Sequence, residues 1–586
     1  MLALDTWQRC SPLSGGLGPL EGIGSHLSRI DTQAELARCE ATELFPEQLI
    51  AQLRQLGLPL VFAPGAPYAT AYHMNTLNAL AAQESGSLAI SIGITGLALL
   101  PVYIAGTDAQ LALVRERVLA GAQAAMLLSE WSHGSDLLAT ETRAERGRCD
   151  GGGFSASAGP AEHYRVSGEK QLINLGRRAQ LLTTLARTSQ PAGGLGGAGG
   201  LTLLLIERDR TVEALPRRRT LAAPAAEIGG ARFAGTLVPA SSRIGEEGEG
   251  FRLVQSALAL SRGGISAFAA GTATRACRLA FAHARERVLY GEPIARLPAV
   301  ADHLARMAAF DLAANCLSLA AAAAVNALGQ RAAHLTAVAK LVSCDLAERA
   351  VVEGRAVLSA RALLADLPYQ QVLRDVMLYG IFDGTRHLML DQIQWRVRQM
   401  VRLGETDEER PAIYAAPPAP MTESARRRGR AWLPRPAGTA ARLAGMDGID
   451  LGPLADAARA LEAATARLAP EAWSEPLATA VAASWARLEA TLAVAELGDP
   501  ARRAALGLPA MPEAPLEIEL AGFAIALVAL EALGDARIAL AGCGVELGAE
   551  AAERALALEQ ARAGRALRAA LREWGRGEPR PWRSDP

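Results

Sequence analysis

Charge of either sign is not in excess in this sequence: 60 Lys and Arg against 61 Asp and Glu leave a formal net charge of -1. No global field draws polyanions, so nucleic acid is not an expected partner. Paired cysteines are missing as well. The seven present, Cys10, Cys39, Cys149, Cys277, Cys316, Cys344 and Cys543, are odd in number and scattered without CxxC or Cys/His spacing. That pattern excludes a disulfide framework and a zinc site, and no metal centre is expected. The cysteines read as small core residues in a reducing compartment. An uninterrupted apolar stretch is absent from Met1 to Leu17, where Asp5 and polar residues intervene, and no later segment reads as a membrane span. The expected location is cytoplasmic.

What is present is bulk and patterning. Half of the 586 residues are apolar, enough for several cores, and a multidomain α+β chain is expected. Residues 1–123 show helical spacing broken by Gly57, Pro64–Pro67 and Gly106. Residues 124–243 switch to short strand-like runs such as Leu181-Leu-Thr-Thr-Leu and Leu201-Thr-Leu-Leu-Leu-Ile between glycine-rich turns. Two of those connections, Gly147 to Gly159 and Pro191 to Gly200, read as mobile surface loops. Residues 244–404 return to helical periodicity in four segments, Leu253–Val288, Ala299–Leu328, Ala332–Leu364 and Tyr369–Met400, as in a four-helix bundle. Residues 405–440 hold six prolines among arginines and read as a linker, and 441–586 as a further helical domain with a basic end.

Five segments stand in one order across this layout. Ser129-Glu-Trp-Ser-His-Gly-Ser-Asp136 alone reads as a polar turn, although its hydroxyls and Gly134 also suit the buried acceptors of a ligand. Gly168-Glu-Lys-Gln-Leu-Ile-Asn-Leu-Gly176 follows as a strand. Ile244-Gly-Glu-Glu-Gly-Glu-Gly-Phe251 opens the bundle, with Arg262 and Gly271 beyond it. Next comes Arg287-Val-Leu-Tyr-Gly-Glu-Pro-Ile294, whose guanidinium suits a phosphate. Arg374-Asp-Val-Met-Leu-Tyr-Gly-Ile-Phe-Asp-Gly-Thr385 is last. Together they resemble the acyl-CoA dehydrogenase family.

The resemblance implies a helical domain, a middle β-barrel domain and a four-helix bundle, with FAD as cofactor and α,β-desaturation of an acyl-CoA or acyl-carrier thioester as the reaction. It places Ser129, Gly134, Ser135, Ile173, Asn174, Arg287 and Thr385 at the cofactor, and Ser135, Arg262 and Gly384 at the substrate. Asp383 falls on the family's base, a glutamate in relatives. A carboxylate is needed there because the α-proton must leave while hydride departs from the β-carbon. Aspartate loses one methylene, and a misplacement of about 1 Å costs roughly 100-fold in rate.

Other departures accompany it. Leu172 replaces the tryptophan of the flavin-facing strand, Asn174 a threonine, Ala259 an acidic residue, Pro298 a glutamine, and Ser359-Ala-Arg-Ala362 a glycine-rich turn. Arg361 offers a cation in place of the lost backbone approach. Two alternatives stay open: a flavin oxidase or monooxygenase, since related nitroalkane oxidases carry aspartate at the base position, or a catalytically impaired subunit of a heteromeric dehydrogenase. The resemblance further implies a homodimer or higher oligomer, because Arg287 serves a neighbour's FAD, and an electron-transferring flavoprotein as acceptor. The C-terminal extension is similar in placement to that of very-long-chain acyl-CoA dehydrogenases, and its basic end offers peripheral contact with a membrane.

Overall fold

The computed structural model describes residues 16–150, 153–157, 162–189, 200–403, 413–414, 416–428, 432, 436–446, 449–469, 472–498, 515–547 and 550–574. They belong to two compact units: Gly15–Ser261 with Pro418–Gly429, and Arg262–Pro417 with Arg430–Pro586.

The first unit opens with helices, from Pro19–Leu27 to Asp108–Leu119. Helix Gly86–Ala105 contains no charged residue, and the Ser85 hydroxyl caps it by accepting from Leu88 N at 3.1 Å. Its length and composition would suit a membrane, contrary to the sequence reading, as would those of the stretch Pro298–Leu363. However, 78% and 94% of their most apolar windows are buried inside the protein, as in core helices. Helix Gly86–Ala105 carries the sheet: Thr183 donates its hydroxyl to Ala98 O at 2.7 Å.

The strands are β1 (Ala124–Leu127), β2 (Arg143–Asp150), β3 (Gly153–Ala156), β4 (His163–Asn174), β5 (Leu181–Arg187), β6 (Leu201–Glu207), β7 (Val212–Leu215), β8 (Ile228–Pro239) and β9 (Arg243–Ile244). Their order is β7-β8-β4-β2-β5-β6-β9, with β1 on β5 and β3 on β2. The ends do not meet. The expected barrel is therefore an open nine-stranded sheet. Its end strands, four residues in β7 and two in β9, present too few backbone groups to close it. Tyr164, Val166, Ile173, Leu182, Leu204 and Phe233 form its core, with Phe45 and Ile94 packed against them. The expected loop from Gly147 is in part the β2–β3 hairpin, paired from Gly147↔Ala156 to Asp150↔Gly153. Residues 191–199 of the other expected loop lie outside the described residues.

Helix Gly250–Glu286 runs from the first unit into the second. There it is followed by Pro298–Leu328 and Ala333–Leu358, in which alanine permits close approach. Gly354 shows how close: a Cβ there would lie 2.0 Å from the Tyr369 hydroxyl, which donates to Val351 O at 2.8 Å. The fourth expected helix, Tyr369–Met400, is two helices, Tyr369–Tyr379 and Arg386–Leu403. Positive φ at Asp383 and Gly384 breaks it between them.

The C-terminal helices pack on the bundle within this unit. Arg487 of helix Glu475–Gly498 donates to Glu531 at 2.6 Å, pairs with Asp535 at 2.7 Å and approaches Asp345 of the bundle at 3.6 Å. The expected linker is packed chain where it is described. Ile413, Tyr414, Met421 and Trp432 are buried. Helix Met421–Arg426 belongs to the first unit, with Arg426 donating to Tyr103 O at 3.1 Å and Gly106 O at 2.9 Å.

Deep in the bundle, Asp311 accepts from the Thr274 hydroxyl at 2.7 Å and from Asn315 Nδ2 at 2.9 Å. Burial pushes its pKa up to about 7, against the pull of these two donors. The folded state therefore holds this proton more tightly than the unfolded chain, and stability falls as pH rises from the ordinary carboxylate range through about 7. Asp311→Asn is expected to flatten that fall. Melting temperatures of wild type and variant from about pH 5 to about pH 8 check it, and identical slopes would reject it.

Candidate active site

The break between the two helices presents the acidic residue. Asp383 has φ 55° and Gly384 φ 101°, left-handed values that cost an ordinary L residue about 1–2 kcal/mol and that aspartate tolerates better than most. A Cβ at Gly384 would come within 2.7 Å of only the Met389 Cε, the end of a flexible side chain, so it is the backbone conformation that favours glycine there. Thr385 closes the turn as a cap, its hydroxyl accepting from Leu388 N at 3.5 Å at the start of helix Arg386–Leu403.

Cations surround this turn. Lys340, on helix Ala333–Leu358, is 1% exposed and donates from Nζ to the carbonyl of Phe382 and, at 2.5 Å, to that of Gly384. Burial lowers its pKa to about 8 while the Asp383 charge pulls the other way. Arg262, on helix Gly250–Glu286, is 3% exposed, so it is not a surface charge. Its Nη1 donates to Gln392 Oε1 at 2.6 Å. Burial lowers its pKa to about 10, again opposed by Asp383. Arg396 is brought to about 10, first by burial and then by repulsion from Arg262, and donates to Ala333 O at 2.7 Å. A carboxylate beside buried cations can accept a proton while negative charge grows on a neighbouring atom.

The sequence reading did not single out Lys340 or Arg396. A lysine inside the apolar run Thr336-Ala-Val-Ala-Lys340-Leu-Val was the available signal, since a buried lysine needs acceptors.

In the sheet-bearing unit a buried ion pair sets the first motif against the second. Lys170 Nζ donates to Glu130 Oε1 and to Leu128 O, both at 2.9 Å. Glu130 also accepts from Glu141 N at 2.8 Å and from Thr142 N and Oγ1 at 2.9 and 2.6 Å. Together with Gln171 N donating to Ser129 O at 2.9 Å, these bonds hold Ser129 beside β4. Glu130, His133 and Glu141 bring their ligand atoms within 4.8 Å of one another, but both Glu130 oxygens are already engaged.

Along β4 the register shifts between Gln171 and Ile173, and Leu172 bulges out with φ 59° and 52% exposure. Ile173 turns into the sheet core at 3% exposed, which leaves its backbone for a ligand. Asn174 donates to Ile90 O at 2.7 Å, leaving a buried Oδ1 with no partner among the described residues. An orphaned carbonyl of this kind suits an N–H of a bound planar group. Gly134 and Ser135 are exposed, and a Cβ at Gly134 would meet nothing within 4 Å, so packing does not dictate glycine there.

Arg287 is exposed at the base of a two-stranded hairpin, Val288–Leu289 with Glu292–Pro293. His283 has its pKa lowered by burial and then by the exposed Arg361 and Arg287, with Glu286 pulling the other way. The altered turn is a 3-10 helix, Ser359–Leu363, entered through Ser359 at φ 54° and ψ -136°.

Residues 248–397 match the family model for the acyl-CoA dehydrogenase C-terminal domain. The chain is 28% identical over 359 residues to cyclohex-1-ene-1-carbonyl-CoA dehydrogenase of Geobacter metallireducens, covering 59% of this chain and 88% of that one. It is 26% identical over 303 residues to the mitochondrial very long-chain specific acyl-CoA dehydrogenase of Rattus norvegicus, covering 51% of this chain and 44% of that one. Among solved structures, an acyl-CoA dehydrogenase of Bacillus anthracis complexed with FAD superposes with a TM-score of 0.72 at 17% identity, covering 95% of this chain and 94% of that one. Butyryl-CoA dehydrogenase of Megasphaera elsdenii superposes with a TM-score of 0.57 at 22% identity, covering 64% and 95%. At these identities the structures establish the fold, and the Bacillus anthracis match extends it through the C-terminal helices.

Proposed function

We propose that this chain, which belongs to the acyl-CoA dehydrogenase family, is an FAD-dependent dehydrogenase that desaturates an acyl thioester between its α- and β-carbons with Asp383 as the base. The observation that carries the reading is the Asp383 turn: a carboxylate on a left-handed turn, gripped by Lys340 and set near the buried Arg262. Its residue types meet the reaction's needs. The carboxylate takes the α-proton, and the buried cations favour the charge that develops on the thioester carbonyl as that proton leaves.

The residues present fit FAD. Asn174 offers a buried, unpartnered carbonyl, and Ser129 stands fixed beside β4 by the Glu130–Lys170 pair. Arg287 and Arg361 offer cations for the pyrophosphate of a neighbouring copy's FAD. When bound, FAD supplies the acceptor for the β-hydride, and the enoyl thioester is the product. Thr385, Gly384 and Ser135 are assigned to ligand contact by motif position.

The hairpin tip supports assembly as a homodimer or higher oligomer. Val288, Leu289 and Tyr290 are 53%, 38% and 93% exposed, an apolar tip beside Arg287 that suits a partner copy. A cytoplasmic setting and an electron-transferring flavoprotein as acceptor belong to the same reading. To test it, the FAD-loaded protein is given acyl-CoA and acyl-carrier thioesters of graded length with an electron-transferring flavoprotein, and products are followed by mass spectrometry. Loss of two hydrogens without oxygen uptake is expected. Product formed only with oxygen consumption would replace the dehydrogenase with an oxidase, and no product from any thioester would remove both.

A further inference from the structure

Asp383 is one methylene shorter than the glutamate of relatives, so its productive position depends more heavily on where its backbone stands. That backbone is in a left-handed conformation, φ 55°, followed by Gly384 at φ 101°. A strained turn of this kind persists only where its surroundings over-determine it. Phe382 packs edge-on against Tyr379 and Thr385 caps the following helix, while Ile381 is 62% exposed and Phe382, Asp383 and Gly384 are half-buried. The turn is gripped as well by a side chain from another helix.

We infer that Lys340 is a positioning residue for the proton abstraction. Its ammonium bridges the carbonyls of Phe382 and Gly384, the residues immediately before and after Asp383, and so fixes the direction in which the carboxylate leaves the backbone. This rests on the reading of Asp383 as the base. The choice of lysine follows from the geometry. Two carbonyls converge on one point, and a compact ammonium with three donors meets both, whereas a planar guanidinium directs its donors along a fixed fork. The helix that carries Lys340 is well anchored, since its neighbours Leu341, Val342, Leu346 and Ala347 are all buried. The same helix reaches the far side of the turn through Asp345, which pairs with Arg386. Both carbonyls that Lys340 meets belong to the turn, and Lys340 itself carries no proton-accepting role. It acts through Asp383.

The test compares Lys340→Met, Lys340→Arg and Asp383→Asn in the FAD-loaded full chain, with every rate expressed per folded, flavin-containing molecule. Two readouts are used: steady-state kcat and KM, and exchange of the thioester α-proton into D2O with a substrate analogue whose β-carbon cannot release hydride. Lys340→Met is expected to lower both kcat and α-proton exchange at least tenfold with KM within about twofold. Lys340→Arg should recover part of that loss. A lysine that merely filled the core would lower the melting temperature and the yield without changing exchange per folded molecule. If Lys340→Met does not fold, Lys340→Arg carries the test, and full exchange in that variant overturns the inference. If Asp383→Asn abolishes exchange while Lys340→Met exchanges like wild type, Lys340 is not a positioning residue although Asp383 remains the base. If Asp383→Asn exchanges normally, the base assignment fails and the role of Lys340 fails with it.

Discussion

Asp383→Asn is expected to lower turnover by roughly 10²–10⁴-fold, the range that a positioned general base contributes, while leaving FAD bound and KM within a few-fold. The substitution is nearly isosteric and retains a polar group at a site where backbone conformation is held by Gly384 and the Lys340 bridge. The fold therefore has little reason to change. What is lost is the acceptor for the α-proton. Equal losses in kcat and in kcat/KM are the expected signature, because the interaction removed is made in the transition state and not in the ground state. A large rise in KM with kcat preserved would make Asp383 a binding residue.

The largest expected effect on stability is at Lys170. Replacing it with methionine leaves Glu130 buried at 7% exposure without its cation, a change that costs about 3–5 kcal/mol in comparable buried pairs. Burial alone would raise the Glu130 pKa, but Lys170 and the Thr142 and Glu141 donors hold it at about 2. A depressed folded-state pKa contributes stability that is fully present above the ordinary carboxylate range and disappears as pH falls towards about 2. Lys170→Met should therefore be most destabilised near neutral pH and should show a weaker dependence on acid than wild type. Adding Glu130→Gln to it should recover part of the loss, since the uncompensated charge is gone. Denaturant-dependent hydrogen exchange of segments 128–142 and 163–174 measures this locally. FAD affinity should fall in parallel, because the same pair holds Ser129 against β4. Wild-type protection in Lys170→Met would show that the pair holds nothing in place.

Much of this site was legible in the sequence because its motifs are local. Arg374–Thr385 and Arg287–Ile294 stand out by residue order alone, although the turn in the first and the hairpin in the second were not read from it. The change from strand to helix near 244 was legible because hydrophobic period and glycine content change there together. What escaped depends on tertiary placement. The helix break at 380–385 was masked by Ile381 and Phe382, which continue the apolar spacing across a turn whose φ values only the fold reveals. Arg262 has a surface residue's composition, yet it is buried against Gln392. Lys340 was not singled out because its acceptors lie 42 and 44 residues away in the chain. The 405–440 stretch read as a linker because prolines and arginines dominate it, whereas Met421 and Trp432 are packed into cores. Sheet closure is set by the pairing of distant strands, which alternation in a single strand does not encode.

Anaerobic addition of acyl-CoA to the FAD-loaded chain tests the proposed reaction most directly. The expected result is bleaching of the flavin's visible band with formation of an equivalent of enoyl thioester in wild type, and an unchanged band in Asp383→Asn with FAD still bound. An unbleached wild-type band across short, long and branched acyl chains, or equal bleaching in Asp383→Asn, would contradict it.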